Sequence, residues 1–196
     1  MLKYNRGRVE GFSLQRTKGW LDDAHIEALL SKASTIECLY ILLMSDAGCR
    51  LREALSFDVR SISGGSLRIY ASKTGKWRTV PVTERLSRAI LKNCALDPGQ
   101  SILPVFDGYN SRRVQRRLLD LCDQSGAPIT TPHRLRHSYA TRLHVEGVPL
   151  ATISALLGHR NLATTLIYLH VGDSDFEIAK RALDRRAAGA IKRRRV

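Results

Sequence analysis

The chain has 196 residues, 43% of them hydrophobic, and carries 32 Lys plus Arg against 18 Asp plus Glu, a formal net charge of +14. That length suits one domain with short terminal extensions and buries about 70% of the surface that an unfolded chain exposes. The composition excludes a disordered chain, no apolar run approaches the ~18 residues of a membrane span, and the positive excess points to a polyanionic partner, most commonly nucleic acid.

An anionic membrane surface would require a basic helix with an apolar face. The most basic segment, residues 191–196, is short and polar. The opening residues, M-L-K-Y-N-R-G-R-V-E-G-F, lack the apolar region of a signal peptide. Cys38, Cys49, Cys94 and Cys122 lie far apart with no C-x-x-C pair. They read as reduced core thiols of a cytoplasmic protein.

Residues 1–20 have weak periodicity and read as an irregular arm. A helix is predicted to begin near Asp22, with Asp22 or Asp23 as N-cap and Ile26, Leu29 and Leu30 on its apolar face. Residues 35–45 are largely apolar and read as a buried helix. Asp46-Ala47-Gly48 breaks it, and another begins at Arg50. The period then changes: residues 66–71 and 77–82 flank Lys73-Thr74-Gly75-Lys76, a β-hairpin with a glycine-bearing tip. Helices resume at about 84–94 and 111–125. Three short helices are expected between Thr131 and His170, then a basic tail helix over 175–193. The predicted class is mainly α with one small antiparallel sheet.

The segment from Thr131 to His170 bears the chemistry. Pro132 suits a first helical turn, and His133 and Arg136 at i and i+3 share a face. The guanidinium fork of Arg136 matches two phosphate oxygens; a solvated basic face is the plainer reading. Tyr168 is a phenol with a reference pKa of about 10 and attacks only when activated; otherwise it is a core tyrosine. Gly158 is a plausible helix stop that leaves His159 at a helix end. A third reading is a metal site, since His133 and His137 have H-x-x-x-H spacing. Arg134 stands where a metalloprotease needs glutamate, Arg136 would repel a cation, and Asp120, Asp123 and Glu146 form no carboxylate cluster. These features disfavour a metal.

Five boxes together carry a resemblance: A-G-C-R-L-R-E-A-L (47–55), S-K-T-G-K-W-R-T-V-P-V (72–82), T-P-H-R-L-R-H-S-Y-A-T-R-L (131–143), L-L-G-H (156–159) and T-T-L-I-Y (164–168). In this order and spacing the chain resembles the catalytic domain of the tyrosine recombinases, the family of phage integrases and the Xer and Cre recombinases. The resemblance covers roughly residues 20–175 and implies that family's catalytic-domain fold. It implies catalytic roles for Arg50, Lys73, His133, Arg136, His159 and Tyr168, with Glu53 as the acid that follows the first arginine. Lys76 lies three residues from Lys73 on the same loop.

The resemblance further implies attack by Tyr168 on a DNA phosphodiester, giving a 3′-phosphotyrosyl link and a free 5′-hydroxyl. Arg50 and Arg136 would clamp the non-bridging oxygens, and Lys73 would protonate the departing 5′-oxygen. His133 would shuttle the tyrosine proton or bond a phosphate oxygen, and His159 would bond another. No metal or nucleotide cofactor is required. The implied partners are double-stranded DNA, further copies in a homo-oligomer (a tetramer on DNA), and DNA-bending accessory proteins.

Lys76, Arg78, Arg112, Arg113, Arg116 and Arg117 are candidate DNA contacts. The last four include i, i+3 and i, i+4 pairs that could follow the backbone or form a solvated face. The tail Lys192-Arg193-Arg194-Arg195 could touch DNA too. The expected division is an arm over 1–20, a catalytic domain over 21–175 and a basic tail over 176–196, open to exchange between subunits. Many relatives carry an N-terminal clamping domain. This chain therefore reads either as a single-domain member, similar to the invertases that switch fimbrial expression, or as a fragment of a larger integrase. Two rival functions remain: a DNA-binding accessory protein without catalysis, and a type IB topoisomerase-like enzyme.

Overall fold

The computed structural model describes residues 19–71, 75–93 and 105–159. In chain order they form α1 (Asp23–Lys32), α2 (Thr35–Ser45), α3 (Leu51–Leu55), β1 (Ile62–Ser63), β2 (Ser66–Ala71), β3 (Lys76–Pro81), α4 (Glu84–Asn93), α5 (Ser111–Ser125), α6 (Pro132–Val145) and α7 (Leu150–Leu157). Lys73, Cys94, Tyr168, most of the expected arm and the expected tail helix lie outside the described residues.

α2 is the axis of the fold because it is apolar almost all round, and such a helix is stable only when surrounded. Leu39, Tyr40, Ile41, Leu42, Leu43 and Met44 are all buried. The helix packs against α4 and α6, while α1 packs against α5. Its start is fixed by Glu37, whose carboxylate accepts the Ser34 N–H at 2.8 Å. The α1 start is fixed by Asp22, which accepts the His25 N–H at 2.9 Å.

Where α2 ends, Asp46 gathers the neighbouring helices. Its buried carboxylate accepts the Arg85 Nε at 2.5 Å and the Thr83 hydroxyl at 2.8 Å, with Arg142 at 3.3 Å. Burial alone would raise this carboxyl; the Arg85 contacts outweigh it and hold the pKa below the ordinary value. α4 and α6 are thereby pinned to the residues that lead into Gly48 and Arg50. A cavity of about 550 Å³ lies here between Trp20, Arg85 and Arg142.

The sheet has order β1-β2-β3, all antiparallel. Where the sequence implies a two-stranded hairpin, a third strand is present. β1 is only two residues long, too short to show a period, and Gly64 and Gly65 turn it at φ 54° and 72°. On β2, Leu67, Ile69 and Ala71 are buried while Arg68 and Tyr70 are exposed. β3 sets Val80 opposite Leu67 and Arg78 opposite Ile69. Because side chains alternate across a strand, Arg78 falls on the inward face with Val80. Trp77 stands on the outer face, its ring 5.1 Å from that of Tyr70.

α6 begins with Thr131, whose hydroxyl accepts the Arg134 N–H at 3.1 Å, and with Pro132 in the first turn. α6 and α7 share a second, smaller core of Tyr139, Ala140, Ile153 and Leu157. The described residues are thus mainly α-helical around one small antiparallel sheet. No described helix is long and apolar enough to cross a membrane.

Candidate active site

The link from α2 to α3 and the end of α7 meet at this site, and Arg136 ties them together. It lies in α6 at 4% exposure. Nη1 donates to the Gly48 carbonyl at 2.5 Å, and Nη2 donates to the Leu157 carbonyl at 2.7 Å. Nη2 is also 3.2 Å from His159 Nε2. Both carbonyls sit where a helix has ended and the backbone lacks its own donor. Gly48 has φ 62°, and a Cβ there would meet the Tyr139 ring at 2.6 Å, so this turn accepts only glycine.

His159 is placed by the end of α7. Its N–H donates to Ser154 O, and the Gly158 N–H donates to Ala155 O, both at 3.0 Å. With Gly158 left-handed at φ 67°, this is the Schellman ending that aims the next residue in a fixed direction.

Arg50 caps α3, and Glu53 in the first turn accepts its N–H at 2.7 Å. Glu53 Oε1 also accepts Arg50 Nη1 at 3.0 Å. The same carboxylate takes both arms of Arg78, Nη1 at 3.1 Å and Nη2 at 2.6 Å, and stands 3.7 Å from Arg136 Nη1. Three guanidinium groups thus surround one buried carboxylate, leaving an excess of positive charge at the site. Burial would raise the Glu53 carboxyl, but the Arg78 bonds, then the Arg50 amide, hold it at about 2.

The structure therefore brings Arg50, Glu53, Arg136 and His159 together. His133 occupies the exposed side of the first turn of α6, while Arg136 one turn later is inside; the shared face expected of the pair divides at the protein surface. Lys73 and Tyr168 lie outside the described residues. Lys76, Arg112, Arg113 and Arg116 are exposed. The Arg113 guanidinium lies over the Tyr109 ring at 4.3 Å, and all three arginines line a shallow concavity with Gly108 and Asn110.

Arg78 and Arg117 are held by carboxylates of the fold. The Arg78 side chain is 7% exposed and its fork is closed on Glu53. Arg117 bonds Glu37 at 2.7 Å across to α2 and Asp120 at 3.3 Å along its own helix. In each case a buried carboxylate on another element orients the guanidinium.

Burial, then the charges of Arg136, Arg50 and Arg78, push the His159 pKa down to about 4. The imidazole is neutral near pH 7 and can bond a phosphate oxygen without adding charge. An unfolded imidazole titrates near 6.5, so between about pH 4 and 6.5 the unfolded chain binds the extra proton. This contribution to stability is complete above pH 6.5 and is lost as pH falls to about 4. The Glu53 contribution is complete above 4.5 and is lost as pH falls towards 2. Acid unfolding followed by circular dichroism should show both stages. His159→Gln should remove the upper one; an unchanged pH profile in that variant would contradict the assignment.

Among the described residues, no group of three or more His, Cys, Asp or Glu is placed to hold a metal ion. Between the hairpin and the end of α7 lies a cavity of about 270 Å³ lined by Ala71, Lys76, Arg78, Gly158 and His159.

Three arginines on one acid, a histidine beside them and an adjoining β-hairpin make one positively charged site in a helical domain. Residues 19–175 match the model of the phage integrase family, and the chain belongs to that family. The tyrosine recombinase XerC of Vibrio campbellii (strain ATCC BAA-1116) is 36% identical over 162 residues, which cover 77% of this chain and 50% of that protein. The chain spans about half the length of the curated relatives it matches. Among solved structures, the XerA recombinase superposes with a TM-score of 0.68 at 23% identity, over 83% of this chain and 64% of that one. The catalytic domain of bacteriophage HP1 integrase gives 0.59 at 21%, over 83% and 93% respectively. The fold is that of a tyrosine recombinase catalytic domain.

Proposed function

We propose that this chain cuts and rejoins DNA strands at specific sites through a 3′-phosphotyrosyl intermediate. The observation that carries the reading is the pair Arg50 and Arg136 gathered on Glu53, with neutral His159 3.2 Å from Arg136 Nη2. In the proposed reaction the Tyr168 oxygen attacks phosphorus. A tyrosyl O–P bond forms and the bond to the 5′-oxygen breaks. His133 receives the phenolic proton, and Lys73 donates one to the departing 5′-oxygen. Negative charge grows on the non-bridging oxygens, where Arg50 and Arg136 meet it with charge already in place. The phosphotyrosyl bond keeps the energy of the bond it replaced. A second 5′-hydroxyl can therefore reverse the step and join a new strand.

The DNA partner fits the net charge of +14. Lys76, Arg112, Arg113 and Arg116 supply exposed positive charge suited to the backbone. Pairwise strand exchange calls for a homo-oligomer on DNA, a tetramer, with accessory proteins to bend the duplex. The basic tail over 176–196 is a candidate for exchange between subunits, and the compartment is the cytoplasm.

The test is covalent trapping. The protein is incubated with host DNA in EDTA, adducts are isolated after denaturation, and both the DNA ends and the modified peptide are sequenced. The expected result is a 3′-phosphate linked to Tyr168 at recurring sites. Absence of any adduct would favour an accessory DNA-binding role. Adducts and plasmid relaxation without site preference would favour a topoisomerase-like enzyme.

A further inference from the structure

We propose that Arg78 is a positioning residue for strand cleavage, orienting Glu53 and through it both phosphate-clamping arginines. This inference rests on the recombinase reading of the site. Arg78 reaches inward from β3, and its side chain is 7% exposed against 5% for Glu53. The pair is bidentate, with Nη1–Oε1 at 3.1 Å and Nη2–Oε2 at 2.6 Å. Two parallel bonds leave a carboxylate with one orientation, which a single contact would not. In that orientation Oε2 accepts the Arg50 N–H at 2.7 Å, Oε1 accepts Arg50 Nη1 at 3.0 Å, and Oε2 stands 3.7 Å from Arg136 Nη1.

A second contact links Arg78 to the other side of the site. A Cβ on Gly158 would lie 3.1 Å from Arg78 Cδ, so the aliphatic stem runs close against the turn that presents His159. One side chain on the hairpin thus braces the acid beneath Arg50 and borders the glycine before His159. A bystander ion pair would stabilise the fold and nothing more. A pair whose carboxylate is shared with both clamps also sets where they point, and small misplacements of such groups cost rate. Lysine cannot reproduce this, because an ammonium offers no planar fork for two oxygens.

The test uses a nicked suicide duplex built on the sites that the wild-type chain marks in the trapping experiment. Single-turnover cleavage at saturating DNA, the apparent Kd and its salt dependence, and thermal melting are measured for wild type, Arg78→Lys, Arg78→Met and Glu53→Gln, and for Arg78→Lys in the Glu53→Gln background. Folded Arg78→Lys should cleave about 10²-fold more slowly, with unchanged Kd and salt slope. In the Glu53→Gln background the same change should have almost no further effect. If Arg78→Met fails to fold, Arg78→Lys carries the comparison. A wild-type saturating rate in folded Arg78→Lys would overturn the proposal, as would a full loss of rate without Glu53. So would a weakened Kd with a shallower salt slope at a normal saturating rate, which is the signature of a DNA contact. If the wild-type chain forms no adduct, the recombinase reading fails first and the inference falls with it. An active wild type with an equally active Arg78→Lys rejects the inference alone.

Discussion

Alanine at position 136 is expected to destabilise the protein by about 3–5 kcal/mol, the cost of breaking a buried charged network. It is also expected to lower strand cleavage by about 10²- to 10³-fold, the usual loss for one oxyanion-stabilising donor. Both effects have one origin. The guanidinium donates to the carbonyls of Gly48 and Leu157, which close two helix ends, and reaches His159 and Glu53 as well. Truncation strands two buried acceptors and removes a positive charge from the proposed phosphate site. Lysine keeps the charge but supplies a single donor group, which cannot face both carbonyls at the ends of a planar fork. Arg136→Lys should therefore recover part of the stability and little of the rate. Denaturant unfolding and saturating cleavage of a suicide duplex measure the two quantities separately. An alanine variant as stable as wild type would show that the Gly48 and Leu157 carbonyls do not depend on Arg136.

Local chemistry made much of the fold legible before any coordinates. Asp22 is a recognisable cap, the all-apolar α2 had to be central, and residues 111–125 carry a helical stripe of Val114, Leu118 and Leu121, all buried. The hairpin followed from its period of two, while β1 escaped notice because two residues have no period. Its signal was the Gly64-Gly65 turn. The site was legible as a set of boxes, and its internal wiring was not. Arg78 shows why. Counting from Val80 by twos puts it on the buried face, yet a charged residue is read as exposed unless its partner is known. That partner, Glu53, lies 25 residues away. The Arg117 partner was hidden for the same reason, since Glu37 is 80 residues distant in sequence. Long-range ion pairs decide which of several arginines remain at the surface, and sequence period alone does not contain them.

Arg50→Ala should give the opposite pattern to Arg136→Ala: a fold that survives and a reaction that does not. The Arg50 side chain is 33% exposed, and its bond to Glu53 Oε1 is a half-open ion pair, so its loss should cost no more than about 1 kcal/mol. The backbone N–H that Glu53 needs to begin α3 survives the substitution. Arg78 still holds both carboxylate oxygens, so Glu53 keeps its place. What is lost is the more exposed clamp, and cleavage should fall by about 10²- to 10³-fold. Arg50→Lys should restore charge without the two-oxygen grip, leaving cleavage between the alanine variant and wild type. The decisive comparison sets melting temperature beside saturating cleavage rate for Arg50→Ala and Arg136→Ala. If both lose stability equally, Arg50 belongs to the scaffold. If Arg50→Ala melts like wild type and fails to cleave, the two arginines divide their work by burial: the inner one builds the site as well as serving it, and the outer one meets the phosphate.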